Sequence, residues 1–118
     1  NALNFCNKHR LPVKFKGNRK THEVIKELQK AQIYLHTSSK ESFSISLLEA
    51  KMSGLTTIAY KYLEVPKSFI DIGIEDFKVN SWSKKILNLD KNSRLNKKFN
   101  SNRYLISNTA RKLINVAK

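Results

Sequence analysis

The chain is 118 residues long, 40% of them hydrophobic and 27% charged, the make-up of a globular domain rather than a disordered chain. No apolar run reaches the roughly 18 residues that cross a bilayer and no basic–apolar leader opens the chain, so a secreted or membrane-spanning protein is disfavoured and a cytoplasmic one expected. A single cysteine, Cys6, forbids an internal disulfide, and His9, His22 and His36 stand at no metal-ligand spacing, so neither metal nor cofactor is expected.

The net charge of +14 is unevenly spread. Residues 1–76 hold 12 basic and 8 acidic side chains, whereas residues 77–118 hold 11 basic ones and a single acid, Asp90. An anionic partner explains such a block, and so does a solvated lysine-rich face. Lys outnumbers Arg 18 to 5, while readout of phosphates or bases favours the planar arginine fork.

In chain order, residues 2–9 are weakly helical. Residues 11–16 (LPVKFK) alternate as a strand entered through Pro12 and stopped at Gly17. Thr21 reads as the N-cap of a helix whose Val24, Ile25, Leu28 and Ala31 form one stripe. Residues 33–35 are a short apolar strand, and a polar loop follows, Thr37-Ser38-Ser39-Lys40-Glu41-Ser42. A largely buried helix is predicted over 45–53, with Gly54 as its C-terminal cap, and then a β-branched strand over 55–60. Beyond Tyr60 the pattern predicts a helical turn from Pro66 toward Ile70, a strand at 77–79 and a helix capped by Ser81 running to Leu89. Trp82 reads as a packing anchor. A long basic amphipathic helix is predicted from about Ser93, with Leu95, Phe99, Ile106, Ala110, Leu113 and Ala117 on one face.

Strands alternating with helices over short connections imply an α/β fold, a Rossmann-like parallel sheet with crossover helices, in a single domain over 1–118. Such a sheet binds ligands beyond its strands' carboxyl ends, where loops feed helix N-termini. The segment 37–46 is the loop there with concentrated polar groups. Free amides at a helix start favour a phosphate, while Glu41 and Glu49 are better suited to accept from paired sugar hydroxyls. A ligand with phosphates between hydroxylated rings, such as a nucleotide sugar, has that outline. Taken locally, Ser46 to Glu49 also fits a capping box, which would make Glu49 structural.

The stretch 31–38 (AQIYLHTS), followed by 41–50 (ESFSISLLEA), resembles the donor-binding domain of retaining GT-B fold glycosyltransferases, glycosyltransferase family 4. Glu41 and Glu49 hold that family's pattern of Glu, seven residues, Glu, Ala. The likeness continues through 52–59 (MSGLTTIA), and upstream 13–17 (VKFKG) matches a strand ending in Gly. The resemblance implies that Glu49 accepts from ribose hydroxyls and that Glu41, the catalytic candidate, contacts donor-sugar hydroxyls or the reacting centre. It places the amides of Ser42, Phe43, Ser44 and Ile45 toward the phosphates and sugar, and Gly17, Asn18 and Arg19 near the base. The family's glycines flanking the loop Phe are Ser42 and Ser44 here. Its diphosphate-clasping Arg and Lys precede the matched region, and its acceptor-binding half is a separate domain, so this chain is expected to be a truncated donor-binding domain that is inactive alone.

The expected function is therefore nucleotide-sugar binding for transfer to a glycan or lipid-linked acceptor in cell-surface polysaccharide synthesis. An alternative is a non-catalytic remnant or docking module that meets an anionic membrane surface or a partner through the basic residues of 84–118. Nucleic acid is disfavoured, since no aromatic stacking motif accompanies the charge. His36, at a strand end facing the loop, is a further candidate ligand contact.

Overall fold

A computed structural model of the chain describes residues 1–89. The long basic helix expected from residue 93 lies outside the described residues, as does most of the basic block proposed to meet a membrane. Helices α1 (Ala2–Lys8) and α2 (Thr21–Lys30) precede strand β1 (Ile33–His36), helix α3 (Ile45–Met52) and strand β2 (Thr56–Tyr60). A 3₁₀ turn (Lys67–Phe69), strand β3 (Ile72–Ile74) and helix α4 (Val79–Leu87) follow.

The three strands form a parallel sheet in the order β1-β2-β3. Ile33 pairs with Thr56 and His36 with Ala59, while Ile58 pairs with Ile72 and Tyr60 with Ile74. Parallel strands need crossovers, and α3 supplies the one between β1 and β2. It lies on the sheet through Leu47 and Ala50, and the core joins Leu47, Ala59, Leu63 and Phe69, all buried. Fully burying a side chain such as Leu47 or Phe69 contributes about 1.5–3 kcal/mol. This α/β, Rossmann-like arrangement is the fold expected from the sequence.

Helix α3 ends as Gly54 predicts. With φ at +81°, Gly54 lets its amide reach the Lys51 carbonyl at 3.0 Å and the Leu55 amide reach that of Ala50 at 3.1 Å. These paired bonds satisfy the last carbonyls and turn the chain directly into β2. Beneath this turn, Lys51 and Asp71 form a buried ion pair, Nζ to Oδ1 at 2.6 Å, with side chains each 6% exposed. Asp71 Oδ2 accepts from the Thr57 amide at 2.8 Å, and Thr57 Oγ1 donates to the Phe69 carbonyl at 2.6 Å. Helix, central strand and the entry to β3 are thereby tied at the amino edge of the sheet.

Four expectations are corrected. Residues 11–16 form no strand: the Val13 amide turns back to the Leu11 carbonyl at 2.8 Å, and Val13 and Phe15 stay about half exposed, at 50% and 52%. Alternation specifies a strand only when a neighbour takes its amides and covers one face. Thr21 is the first helical residue rather than the cap of α2; Lys20 is the cap, and its amide donates to Glu23 at 2.9 Å. The last strand lies at 72–74, not 77–79, because Asp76 accepts from the Lys78 amide at 2.8 Å and turns that segment into α4. Ser81 sits inside α4 and donates to Asp76 at 3.0 Å, so it is not the cap expected of it; Lys78 holds the N-cap position and makes no side-chain capping bond. The turn after Pro66 is present, and Trp82 anchors α4 by donating to the Asp76 carbonyl at 2.9 Å.

Candidate active site

The carboxyl edge of the sheet is defined by His36, Tyr60 and Ile74, and the segments leaving it enclose a cavity of about 520 Å³. Its walls are Ser39, Lys40, Glu41 and Ser42 from the loop after β1, with Tyr62 and Glu64 from the segment after β2. The loop runs from 37 to 44 because small polar residues compete with regular structure for backbone bonds: Ser38 Oγ donates to the Lys40 carbonyl at 2.9 Å.

Glu41 is tied to the sheet by His36, with Nε2 3.2 Å from Glu41 Oε1. His36 is only 8% exposed, and its ring stacks on that of Tyr34 at 6.1 Å. A carboxylate only accepts, so the hydrogen lies on Nε2. The His36 side chain is thus turned to Glu41 and does not line the cavity.

The loop ends at Ser44, the N-cap of α3, in the left-handed region with φ at +60°. Ser44 Oγ accepts from the Leu47 amide at 3.3 Å and lies 3.2 Å from Ser46 Oγ. The capping box expected locally from Ser46 and Glu49 is therefore absent: Ser44 caps instead. The Glu49 carboxylate bonds no described residue, and it is half-buried on α3. With Leu47 taken, the amides of Ile45 and Ser46 remain at the open end of the helix, where partial positive charge accumulates. Phe43 packs its ring edge-on against Phe69 at 5.3 Å, which seats the loop on the core.

The structure brings Glu41 and Ser42 into one cavity and strings Phe43, Ser44, Ile45 and Glu49 along the continuation of that loop into α3. Gly17, Asn18 and Arg19 are not brought there. They line a second cavity of about 460 Å³ whose walls include Ile33 and Leu55, at the amino ends of β1 and β2. Lys40, Tyr62 and Glu64 escape motif reasoning, although residues just past a parallel strand's carboxyl end are where a wall is expected. Tyr62, 59% exposed, offers an aromatic face, and its ring meets Tyr60 at 5.4 Å. Two carboxylates and one ammonium in the same small cavity favour a ligand rich in hydroxyl donors over a bare anion. Among the described residues no group of three His, Cys, Asp or Glu side chains could hold a metal ion.

Fold and site together define an α/β domain with an acid-lined cavity at the carboxyl edge of a parallel sheet and a helix start beside it. The family model for glycosyl transferases group 1 matches residues 6–106, and the chain belongs to that family. The match spans β1, the 37–44 loop, α3, β2 and β3. No curated protein and no solved structure matches the chain. Among the described residues no helix is long and apolar enough to cross a membrane.

Proposed function

We propose that this domain binds the nucleotide-sugar donor of a glycosyltransferase of family 4 type, for transfer to a glycan or lipid-linked acceptor in cell-surface polysaccharide synthesis. The observation that carries the reading is Glu41 lining a cavity at the sheet's carboxyl edge in a chain of this family. In this reading Glu41 accepts from donor-sugar hydroxyls, with Glu64 and the Tyr62 ring on the facing wall. The phosphates lie toward Lys40 and the free amides of α3, where helix dipole and ammonium favour negative charge. Glu49, without a protein partner among the described residues, accepts from the ribose hydroxyls. In the transfer itself the bond between anomeric carbon and diphosphate oxygen breaks, its electron pair leaving with the nucleoside diphosphate, while the acceptor hydroxyl oxygen bonds to the anomeric carbon and gives up its proton to the departing diphosphate, a step that needs an acceptor-binding half.

Titration of the full chain with uridine and guanosine diphosphate sugars, followed by calorimetry or NMR, tests this. Hydrogen bonds to charged groups contribute about 1.5–3 kcal/mol, so Glu49→Ala is expected to weaken binding by roughly 10- to 100-fold, whether or not the sugar is attached. Glu41→Gln is expected to weaken only the sugar-bearing ligand. Absence of any response from the unaltered chain would rule the reading out.

A further inference from the structure

Glu41 is carried by a loop of serines, threonine and lysine, and its carboxylate is fixed from outside that loop, by His36 on β1. His36 itself is well placed to be rigid. It closes β1, pairs with Ala59 of the central strand, stacks on Tyr34 and is nearly inaccessible to solvent. Its Nε2 hydrogen is directed at one oxygen, Oε1, at 3.2 Å, while Glu41 still forms part of the cavity wall. A glutamate that must be immobilised on binding gives up rotamer freedom, and one already held does not.

We propose that His36 is a positioning residue for donor-sugar recognition: it anchors one oxygen of Glu41 so that the other is presented to a sugar hydroxyl. The role rests on the donor-binding reading above and adds to it a residue that touches no ligand. It also sets the imidazole's tautomer, since only a hydrogen on Nε2 serves.

The test is a calorimetric titration of the full chain with nucleoside diphosphate sugars and with the corresponding nucleoside diphosphates, in four variants. His36→Phe keeps a ring and removes the donor, and His36→Gln sets an amide N–H near the Nε2 position. Glu41→Gln and the double variant His36→Phe/Glu41→Gln complete the set. His36→Phe is expected to weaken the sugar-bearing ligand by about 3- to 10-fold, to leave the nucleoside diphosphate unchanged and to add no loss in the Glu41→Gln background. His36→Gln is expected to regain most of the affinity. If His36→Phe does not fold, His36→Asn replaces it, because its amide ends short of Nε2. Wild-type affinity in the donor-less variant, equal losses for both ligands, or additive losses in the double variant would each overturn the positioning role while leaving the donor reading intact. A wild-type chain that binds no nucleotide sugar would instead overturn both.

Discussion

Ser44 holds a backbone conformation that glycine adopts freely and serine does not, and the family resemblance expects glycine at this place. An L-residue in the left-handed region costs roughly 1–2 kcal/mol. The hydroxyl offsets part of this by capping α3 at Leu47. Replacing a cap serine by glycine forfeits only a few tenths of a kcal/mol, whereas alanine forfeits about 1 kcal/mol. Ser44→Gly is therefore expected to stabilise the fold by about 0.5–1 kcal/mol, and Ser44→Ala to destabilise it by about 1 kcal/mol. Urea unfolding of the two variants gives opposite signs on this account; shifts in the same direction would refute it. Asp76 behaves as a second local device. Backbone donation from Lys78, then donation from Ser81, holds its carboxyl below the ordinary value of 3.8. A lowered carboxyl stabilises the fold above the unfolded-state value and loses that contribution as pH falls through the folded one. The melting-temperature gap between wild type and Asp76→Asn should accordingly be open at pH 7 and close on acidification below about pH 4. A gap independent of pH would assign the effect to the lost side-chain geometry alone.

Elements with several agreeing signals were legible in the sequence. Helix α3 was predicted over 45–53 and runs Ile45–Met52, because buried positions, a following glycine and a β-branched strand all point to one boundary. Strand β3 was not legible, since Ile72-Gly73-Ile74 is too short to show a period and carries a residue that weakens strands. The glycine is there for space: a Cβ at 73 would lie 3.0 Å from Lys61 Cβ. Gly73→Ala is expected to push β3 from β2 and cost about 1–3 kcal/mol by denaturant midpoint; an unchanged midpoint would show the strands can yield. Where α3 meets the sheet, Lys51→Met leaves Asp71 charged and buried, for an expected loss of about 3–5 kcal/mol. A loss under about 1 kcal/mol would mean that water reaches the pair.

At the scale of the whole molecule, burial is uneven along the described residues. The core is assembled from residues after Ile33, while residues 11–20 are exposed throughout. Phe15→Ser is expected to change stability by no more than about 0.5 kcal/mol, as for other exposed positions. A loss of several kcal/mol would show that the segment packs as a strand after all. The candidate site was partly legible for a related reason. Glu41, Ser42 and the helix start follow one another in sequence, so a linear motif finds them. Tyr62 and Glu64 reach the same cavity from the segment that follows another strand, and the hold of His36 on Glu41 depends on which way a strand-end side chain turns. Spacing along a chain carries neither fact.

The Lys51–Asp71 pair has a bearing on how this sequence can drift. Losing the acid removes the carboxylate beside the Lys51 ammonium and the acceptor of the Thr57 amide, losing the base leaves the acid held by Thr57 alone without that counter-charge, and even an apolar couple at both positions would leave the amide without its acceptor. Acid, base and amide are thus coupled, so changes at 51 and 71 should be better tolerated together than singly, and best where an oxygen acceptor for the amide is kept.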